Sequence, residues 1–214
     1  MYRPITLFTG QFADIPINQL AVKAKSWGYD GLELACWGDH LDVDRAATDM
    51  KYVDGKIELL AKNDLKLFSI SNHLAGQLVC DPNDDYRSDF FAPKDLSGNP
   101  EGKRKWAVNS MINSARAAKN LGINIVNGFT GSSIWHMIYS FPPVSEETIE
   151  DGFKYFAEMW NPIFDEFDRC GVKFALEVHP TEIAFDIVTA KRALEAVENR
   201  STFGFNFDPS HLFW

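Results

Sequence analysis

Apolar residues recur along this chain at helical spacing, and each helical stretch ends in a breaking residue followed by a short apolar strand. Leu20, Ala24 and Trp27 form one such stripe, because residues three and four apart share a helix face. The five helix-to-strand junctions read KSWGYDGLELA, LAKNDLKLFSIS, AKNLGINIVNGF, DRCGVKFALEVH and VENRSTFGFNFD. With RPITLFTG as the opening strand, six strands alternate with five helices. Such alternation predicts a parallel sheet with right-handed crossovers.

The last two predicted strands alternate between bulky residues and small or polar ones. In VKFALEVH, residues 172–179, Val, Phe, Leu and Val take one face, and FGFNFD, residues 203–208, alternates in the same way. Buried strands of an open sheet are usually apolar throughout, whereas barrel strands turn small or polar residues toward the axis. No G-x-G-x-x-G motif follows the first strand, so nothing favours a dinucleotide-binding sheet. We therefore predict an α/β fold of the (β/α)₈ TIM-barrel class.

Only six strands can be recognised, although a (β/α)₈ barrel typically takes roughly 250 residues. The prediction is a single domain over residues 1–214 that forms an incomplete barrel of about six βα units. We expect the chain to be a fragment that ends after the sixth strand. Two connections, 74–103 and 128–145, are long for a compact barrel and are predicted to be loops over the active site. Within the second, the segment TGSS (130–133) could cradle a phosphate with its backbone amides, with a simple turn as the alternative.

The chain is acidic and has the composition of a soluble globular protein. Hydrophobic residues make up 45% and charged residues 24%, which is ordinary for that class. The net charge of −9 offers no basic patch to nucleic acid. We find no signal-peptide pattern and no apolar stretch long enough to cross a bilayer. Three widely spaced cysteines are typical of reduced thiols. We predict a cytoplasmic protein with a small-molecule ligand and with neither a nucleic-acid nor a membrane partner.

Every histidine of the chain follows the end of a predicted strand. The five are His40, His73, His136, His179 and His211. Barrel enzymes place their chemistry at the carboxyl ends of the strands. The distribution of histidines therefore predicts an active site at that end of the barrel.

Glu177 and Asp208 are the most informative pair of acidic residues. The alternation of the last two strands points both side chains toward the axis, from neighbouring strands roughly 5 Å apart. Two carboxylates in one low-dielectric mouth repel each other, so they favour a shared proton or a cation. With His211 three residues after Asp208, Mn²⁺, Mg²⁺ and Zn²⁺ are all suitable. The alternative is that each is a rim carboxylate paired with lysine or arginine.

Five blocks of sequence resemble the xylose-isomerase-like sugar phosphate isomerase/epimerase family. They are GYDGLELACWGDHLD, SNHLAGQLVCD, GFTGSSIWH, LEVHPTEIAFDI and FGFNFDPSHLFW, in family order. The resemblance implies a (β/α)₈ barrel with one divalent metal, most often Mn²⁺, held by residues of strands 5 to 8. Glu177 and Asp208 match the metal ligands of strands 5 and 6. The ligands of strands 7 and 8 have no counterpart in this sequence.

The resemblance also implies an enzyme of carbohydrate metabolism, a divalent-metal-dependent sugar isomerase or epimerase. Such an enzyme moves a proton at a carbon next to a carbonyl, through an enediolate. Glu177 is then base as well as ligand, and His211 hydrogen-bonds the developing oxyanion. The further candidates for substrate binding are His73, His179, Glu182, Trp37 and His136. Because no Arg or Lys converges with the TGSS segment, an unphosphorylated sugar or keto-sugar is the expected substrate.

Several alternatives remain open at this stage. A lyase or deglycosidase acting on 3-keto-glycosides would use the same metal and the same acid–base pair. A non-catalytic, sugar-binding remnant is the alternative from another class. A DNA-repair AP endonuclease of the same superfamily needs a further metal-binding histidine on strand 4, so Asn127 and the net charge of −9 argue against it. Because a six-stranded fragment leaves two unpaired edges, we expect a homo-oligomer or a partner that covers them.

Overall fold

Six parallel strands lie side by side in the order in which they occur in the chain. In the computed structural model, which describes residues 3–213, the strands are β1 (Thr6–Phe8), β2 (Gly31–Ala35), β3 (Lys66–Ser71), β4 (Ile125–Gly128), β5 (Lys173–Glu177) and β6 (Phe203–Asn206). Each strand pairs in parallel with the next one along the chain. Within the described residues the sheet is not closed, and β1 and β6 form its edges. The predicted six-stranded parallel sheet is confirmed.

Helices connect successive strands throughout the described chain. They are α1 (Ile17–Ser26), α2 (Val43–Thr48), α3 (Met50–Lys62), α4 (His73–Cys80), α5 (Pro100–Asn120), α6 (Glu146–Cys170) and α7 (Ile187–Ala196). Polar side chains cap several of them, as Ser145 does for α6 and Asp186 for α7, because the first amides of a helix lack backbone acceptors. Between residues 3 and 213 we find no helix with the length and apolar character needed to cross a membrane.

The hydrophobic core lies between the sheet and the helices, and aromatic residues fill its part near β5 and β6. Phe174 of β5 packs on Trp160 of α6, with ring centroids 4.7 Å apart, and stacks on Phe203 of β6 at 6.4 Å. Trp160, Phe164 and Phe174 are completely buried, and large rings dominate core energetics. The sequence pattern assigned Phe174 and Phe203 to the face toward the helices, and the structure agrees. The opposite face of the same strands is therefore left for polar residues.

Segment 74–103 is predicted to be a loop, but part of it is helical. Its first residues belong to α4, and short 3₁₀ turns follow at Ser88–Phe90 and Lys94–Leu96. The helix forms because Ala75, Leu78 and Val79 bury their side chains completely. The remaining connection is tied to α5 by the fully buried Lys103, which forms an ion pair with Asp89. Segment 128–145 contains only one 3₁₀ turn, at Trp135–Met137.

The connection between β2 and β3 contains two helices where the sequence pattern predicts one. The break falls at Asp49, which has an extended backbone conformation and ends α2. The Asp49 carboxylate then accepts a hydrogen bond from the Tyr52 amide and caps α3. An aspartate that can satisfy a free helix amide makes such a break inexpensive. Because this connection lies on the outer side of β2 and β3, the break does not alter which residues these strands turn inward.

Gly76 allows α4 to lie directly against the backbone that follows β4. A Cβ atom at this position would overlap the carbonyl oxygen of Phe129. We expect Gly76→Ala to lower the free energy of unfolding by about 1–3 kcal/mol, because overpacking against backbone cannot relax by a rotamer change. Gly55 in α3 has no atom within 4 Å of the same Cβ position, so Gly55→Ala should instead stabilise by up to about 1 kcal/mol. Urea denaturation of both variants measures the contrast, and two changes of the same sign would contradict it.

Candidate active site

A cavity of about 560 Å³ opens at the carboxyl ends of the strands. It is lined by Thr6, Phe8, Gln11, Glu33, Trp37, His73, Phe129, Glu177, Asn206, Asp208 and His211. Every strand contributes to this lining, either with its own residues or with residues that follow it. The position is the one at which parallel barrels place their chemistry. The cavity is therefore the candidate active site.

Glu177, Asp208 and His211 form a cluster of metal-ligating groups on one side of the cavity. His211 Nε2 lies 2.9 Å from Glu177 Oε1 and 3.4 Å from Asp208 Oδ2. One ligand atom from each residue lies within 4.8 Å of the other two. The backbone amide of Ser210 donates to Asp208 Oδ1 at 2.8 Å, which fixes the carboxylate and directs Oδ2 toward His211. Two carboxylates and an imidazole in this arrangement suit a divalent cation.

His73 and Asn206 fix the second oxygen of Glu177. Each donates a hydrogen bond of 3.1 Å to Glu177 Oε2, from His73 Nε2 and Asn206 Nδ2. Burial raises the pKa of Glu177, but hydrogen bonds and charge from His73 and His211 outweigh it and lower the pKa to about 2. Glu177 is therefore an ionised carboxylate with both oxygens held in place.

Glu33 organises a polar network across the floor of the cavity. Its carboxylate accepts hydrogen bonds from Ser69 Oγ at 2.8 Å and from Asn127 Nδ2 at 2.6 Å, and also from Ser71 Oγ. The network connects β2, β3 and β4 through residues that all face inward. Glu33 is the central residue of β2 and is absent from the site residues predicted from the sequence. Its inward position in the alternating strand GLELA was the signal that could have identified it.

Aromatic rings form the wall of the cavity around His73. The His73 ring centroid lies 4.6 Å from that of Phe129, 5.6 Å from Phe8 and 6.5 Å from Trp37. Phe8 and Trp37 also make an edge-to-face contact at 5.9 Å, a favoured arrangement for aromatic pairs. Sequence reasoning proposed Trp37 but missed Phe8 and Phe129, since a phenylalanine beside a strand is typical of a core.

A sequence model of the xylose isomerase-like TIM barrel family matches residues 21–214. This chain belongs to that family. Membership confirms the expected α/β barrel class, and the open six-stranded sheet is that part of the barrel which the described residues form. A comparison with curated protein sequences gives no match.

Solved structures with the same fold include two named enzymes and one magnesium complex. The probable 3-DHS dehydratase AsbF of Bacillus anthracis superimposes with a TM-score of 0.64 at 16% identity, over 98% of this chain and 64% of AsbF. The E. coli 3-keto-D-glucoside 4-epimerase YcjR gives 0.65 at 13% identity, over 99% and 70%. A xylose isomerase-like TIM barrel protein of Mycobacterium smegmatis in complex with magnesium gives 0.63 at 16%, over 99% and 68%. The chain thus spans about two thirds of the length of these proteins, and such identities establish a common fold.

Three of the predicted substrate-binding residues, His179, His136 and Glu182, are not among the residues that line the cavity. His179 packs its ring against His211, with centroids 4.2 Å apart, and burial lowers the pKa of His179. His136 lies in the 3₁₀ turn Trp135–Met137. Glu182 is completely buried beneath the segment that follows β4. The structure thus brings Glu177, Asp208, His211, His73 and Trp37 together at the cavity. His179 lies directly against His211 without lining the cavity, and His136 and Glu182 also lie outside the lining.

Three of the four amides of the TGSS segment are not free to bind a phosphate. The amides of Thr130 and Gly131 donate to Glu182 Oε2 at 2.6 and 2.8 Å, and the amide of Ser132 donates to Asp81 Oδ1 at 2.9 Å. Carboxylates of the chain itself occupy the positions that an anion would need. The phosphate-cradle interpretation is therefore wrong.

The Glu33 network predicts a measurable stability effect at Asn127. We expect Asn127→Ala to lower the free energy of unfolding by about 2 kcal/mol, because it removes a buried hydrogen bond to a charged group. Asn113→Ala is a matched control, since Asn113 Nδ2 donates to Asp44 Oδ1 at 2.8 Å on the protein surface and should contribute under about 1 kcal/mol. Urea denaturation compares the two variants. Equal losses would mean that burial of the network has no effect.

Proposed function

We propose that this chain carries the active site of a divalent-metal-dependent sugar isomerase or epimerase, which transfers a proton at a carbon next to a carbonyl through an enediolate. The observation that carries the proposal is the cluster of Glu177, Asp208 and His211 at the edge of a cavity. Membership of the xylose isomerase-like family supports it. So does the E. coli structural neighbour, which is named for epimerisation of a keto-glucoside.

The residues present fit a divalent metal. Glu177 and Asp208 are the proposed ligands, and the His211 imidazole lies within direct reach of both carboxylates. Carboxylate and imidazole donors together suit Mn²⁺, our proposed metal, as well as Mg²⁺ and Zn²⁺, and a structural neighbour holds magnesium. When bound, such an ion polarises the substrate carbonyl as a Lewis acid and stabilises the negative charge of the enediolate.

The chain's own residues supply the proton chemistry. The low pKa of Glu177 keeps its carboxylate ionised at neutral pH. A carboxylate at this place in the cavity can accept a proton from a substrate carbon that the neighbouring carbonyl acidifies. His73 and Asn206 orient that carboxylate. The His211 imidazole lines the cavity beside Glu177, and its proposed role is a hydrogen bond to the substrate oxygen on which charge develops.

The lining of the cavity supports an uncharged, unphosphorylated keto-sugar as substrate. Glu33, Glu177 and Asp208 are acidic, and none of the described lining residues is a lysine or an arginine. A phosphate or carboxylate group would therefore meet these carboxylates with no lysine or arginine side chain to pair with it. The aromatic wall of Phe8, Trp37 and Phe129 offers apolar surface to the carbon–hydrogen face of a sugar ring.

Hydrogen exchange into the substrate tests the proposed reaction. The purified chain with Mn²⁺ is incubated in D₂O with uncharged ketohexoses, the corresponding phosphates and a 3-keto-glucoside, and the sugars are followed by NMR. We expect deuterium at the carbon next to the carbonyl of an uncharged sugar, and none with Glu177→Gln or after metal removal by EDTA. Preference for a phosphorylated sugar would contradict the substrate class.

The same experiment distinguishes the two alternatives. Loss of the aglycone from the 3-keto-glucoside, with a new carbon–carbon double bond, would identify a lyase; the dehydratase among the structural neighbours favours including this substrate. Metal-dependent binding of a sugar without exchange would identify a sugar-binding protein. Absence of both exchange and binding would contradict the proposal.

A further inference from the structure

Two acidic side chains, the buried Glu182 and the half-buried Asp81, hold the backbone segment that follows β4. Glu182 Oε2 accepts hydrogen bonds from the amides of Thr130 and Gly131 at 2.6 and 2.8 Å and from Thr130 Oγ1 at 3.2 Å. Asp81 Oδ1 accepts from the amide of Ser132 at 2.9 Å. Glu182 is completely buried, so its hydrogen bonds do not compete with water. Residues 130–132 are therefore fixed by side chains that follow β3 and β5.

The packing of the same segment leaves it little freedom to move. Gly131 has a φ of +67°, and a Cβ atom there would overlap the carbonyl oxygen of Gln77 in α4. Trp160 of α6 donates its indole N–H to the Thr130 carbonyl at 3.2 Å. Contacts from α4 and α6 thus add to those of the two carboxylates. Phe129 immediately precedes this segment, so its backbone position is fixed as well.

Phe129 connects this segment to the candidate active site through its contact with His73. Its ring lies edge-on to His73, with centroids 4.6 Å apart and an interplanar angle of 79°. His73 Nε2 hydrogen-bonds Glu177 Oε2, whereas the buried His73 Nδ1 has no hydrogen-bond partner among the described residues. Because a single hydrogen bond does not fix the plane of an imidazole ring, packing against Phe129 must contribute to its orientation.

We propose that Glu182 is a positioning residue, which fixes residues 129–132 and thereby holds His73 in the orientation that contacts Glu177. The family resemblance implies substrate binding by Glu182, a role that complete burial opposes. The positions of Glu182, Phe129 and His73 do not depend on the proposed function. Only the importance of these positions for turnover rests on it. Glu182 therefore acts on the site through backbone amides and one aromatic ring.

NMR of the histidine side chains of the metal-free protein tests this role. A His73→Gln variant identifies the His73 signal, because that signal is missing from its spectrum. Phe129→Leu removes the aromatic ring beside His73 and its ring-current shift, so its spectrum gives the chemical shift of His73 without that ring. Glu182→Gln keeps an oxygen acceptor for the amides, and we expect a His73 resonance close to that of the wild type. Glu182→Asp withdraws the carboxylate by one methylene, and we expect the His73 resonance to move most of the way to its position in Phe129→Leu.

Glu166→Gln is the control for general destabilisation. Glu166 is a buried carboxylate on α6, paired with Arg116 and Arg169, and its loss should leave the His73 resonance unchanged. A folded Glu182→Asp with a wild-type His73 resonance would overturn the proposal. So would a Phe129→Leu variant that does not shift His73, or an equal shift in Glu166→Gln. The measurement needs neither metal nor sugar, so its result is independent of whether the proposed enzymatic activity exists.

Discussion

Substitution of Glu177 by glutamine is expected to weaken Mn²⁺ binding by this chain. Glu177 is ionised, and its Oε1 lies in the cluster with Asp208 and His211. A neutral amide keeps the shape of the side chain but removes the charge that attracts the cation. We expect an affinity loss of at least about tenfold, equivalent to about 1.4 kcal/mol of binding free energy. Isothermal titration calorimetry of wild type and variant measures the loss, and Asp208→Ala should reproduce it.

Glu33→Gln is the matched control for charge in the same cavity. Glu33 also lines the cavity, but its oxygens are engaged by Ser69, Ser71 and Asn127. We expect a loss of only a few-fold, from weaker Coulomb attraction at a distance. If Glu33→Gln weakened Mn²⁺ binding as much as Glu177→Gln, the metal would be held by the general negative charge of the cavity and not by the proposed ligands.

The stability of the wild type is expected to fall, relative to Glu182→Gln, as pH rises from about 4.5 to 8. Burial, together with the nearby charge of Asp81, raises the pKa of Glu182 from 4.5 to about 8. Between these values the folded protein keeps the Glu182 proton while the unfolded chain has lost it, so rising pH favours unfolding. The contribution is about 1.4 kcal/mol per pH unit, and on the order of 5 kcal/mol over the whole range.

Urea denaturation of both proteins at several pH values gives this difference directly. Shared titrating groups that are distant from Glu182 cancel in the subtraction. Asp81 does not, because burial raises its pKa to about 6 and its charge acts on Glu182. Glu166→Gln is the control, because a hydrogen bond from Arg116 holds the pKa of Glu166 below its usual value. Its difference from the wild type should therefore be constant above about pH 5. A pH-independent difference for Glu182→Gln would show that Glu182 is ionised in the folded protein.

The sequence contained enough information for the sheet and for the centre of the candidate site. Period-two alternation in VKFALEVH and FGFNFD predicts which residues face inward, and Glu177 and Asn206 are indeed register partners on neighbouring strands. Parallel strands end at the same side of a sheet, so residues that follow them converge. Glu177, Asp208 and His211 could be found together for that reason alone.

The remaining features depend on packing that no local pattern reveals. Phe8 and Phe129 cannot be told from core phenylalanines in the sequence, yet both line the cavity. Glu182 lies in a polar motif typical of a binding loop, yet the chain folds Thr130 and Gly131 over it. The α4 helix follows β3 without a Gly- or Pro-rich turn, and its burial decides its conformation.

The inward and outward faces of β5 and β6 separate two kinds of evolutionary constraint. Phe174 and Phe203 bury their rings against α6, whereas Glu177 and Asn206 on the same strands face the cavity. A substitution on the face toward the cavity therefore leaves the aromatic packing against α6 intact. A substitution on the face toward the helices leaves the polar groups of the cavity unchanged. Such a chain can explore new chemistry by mutation while its fold is preserved.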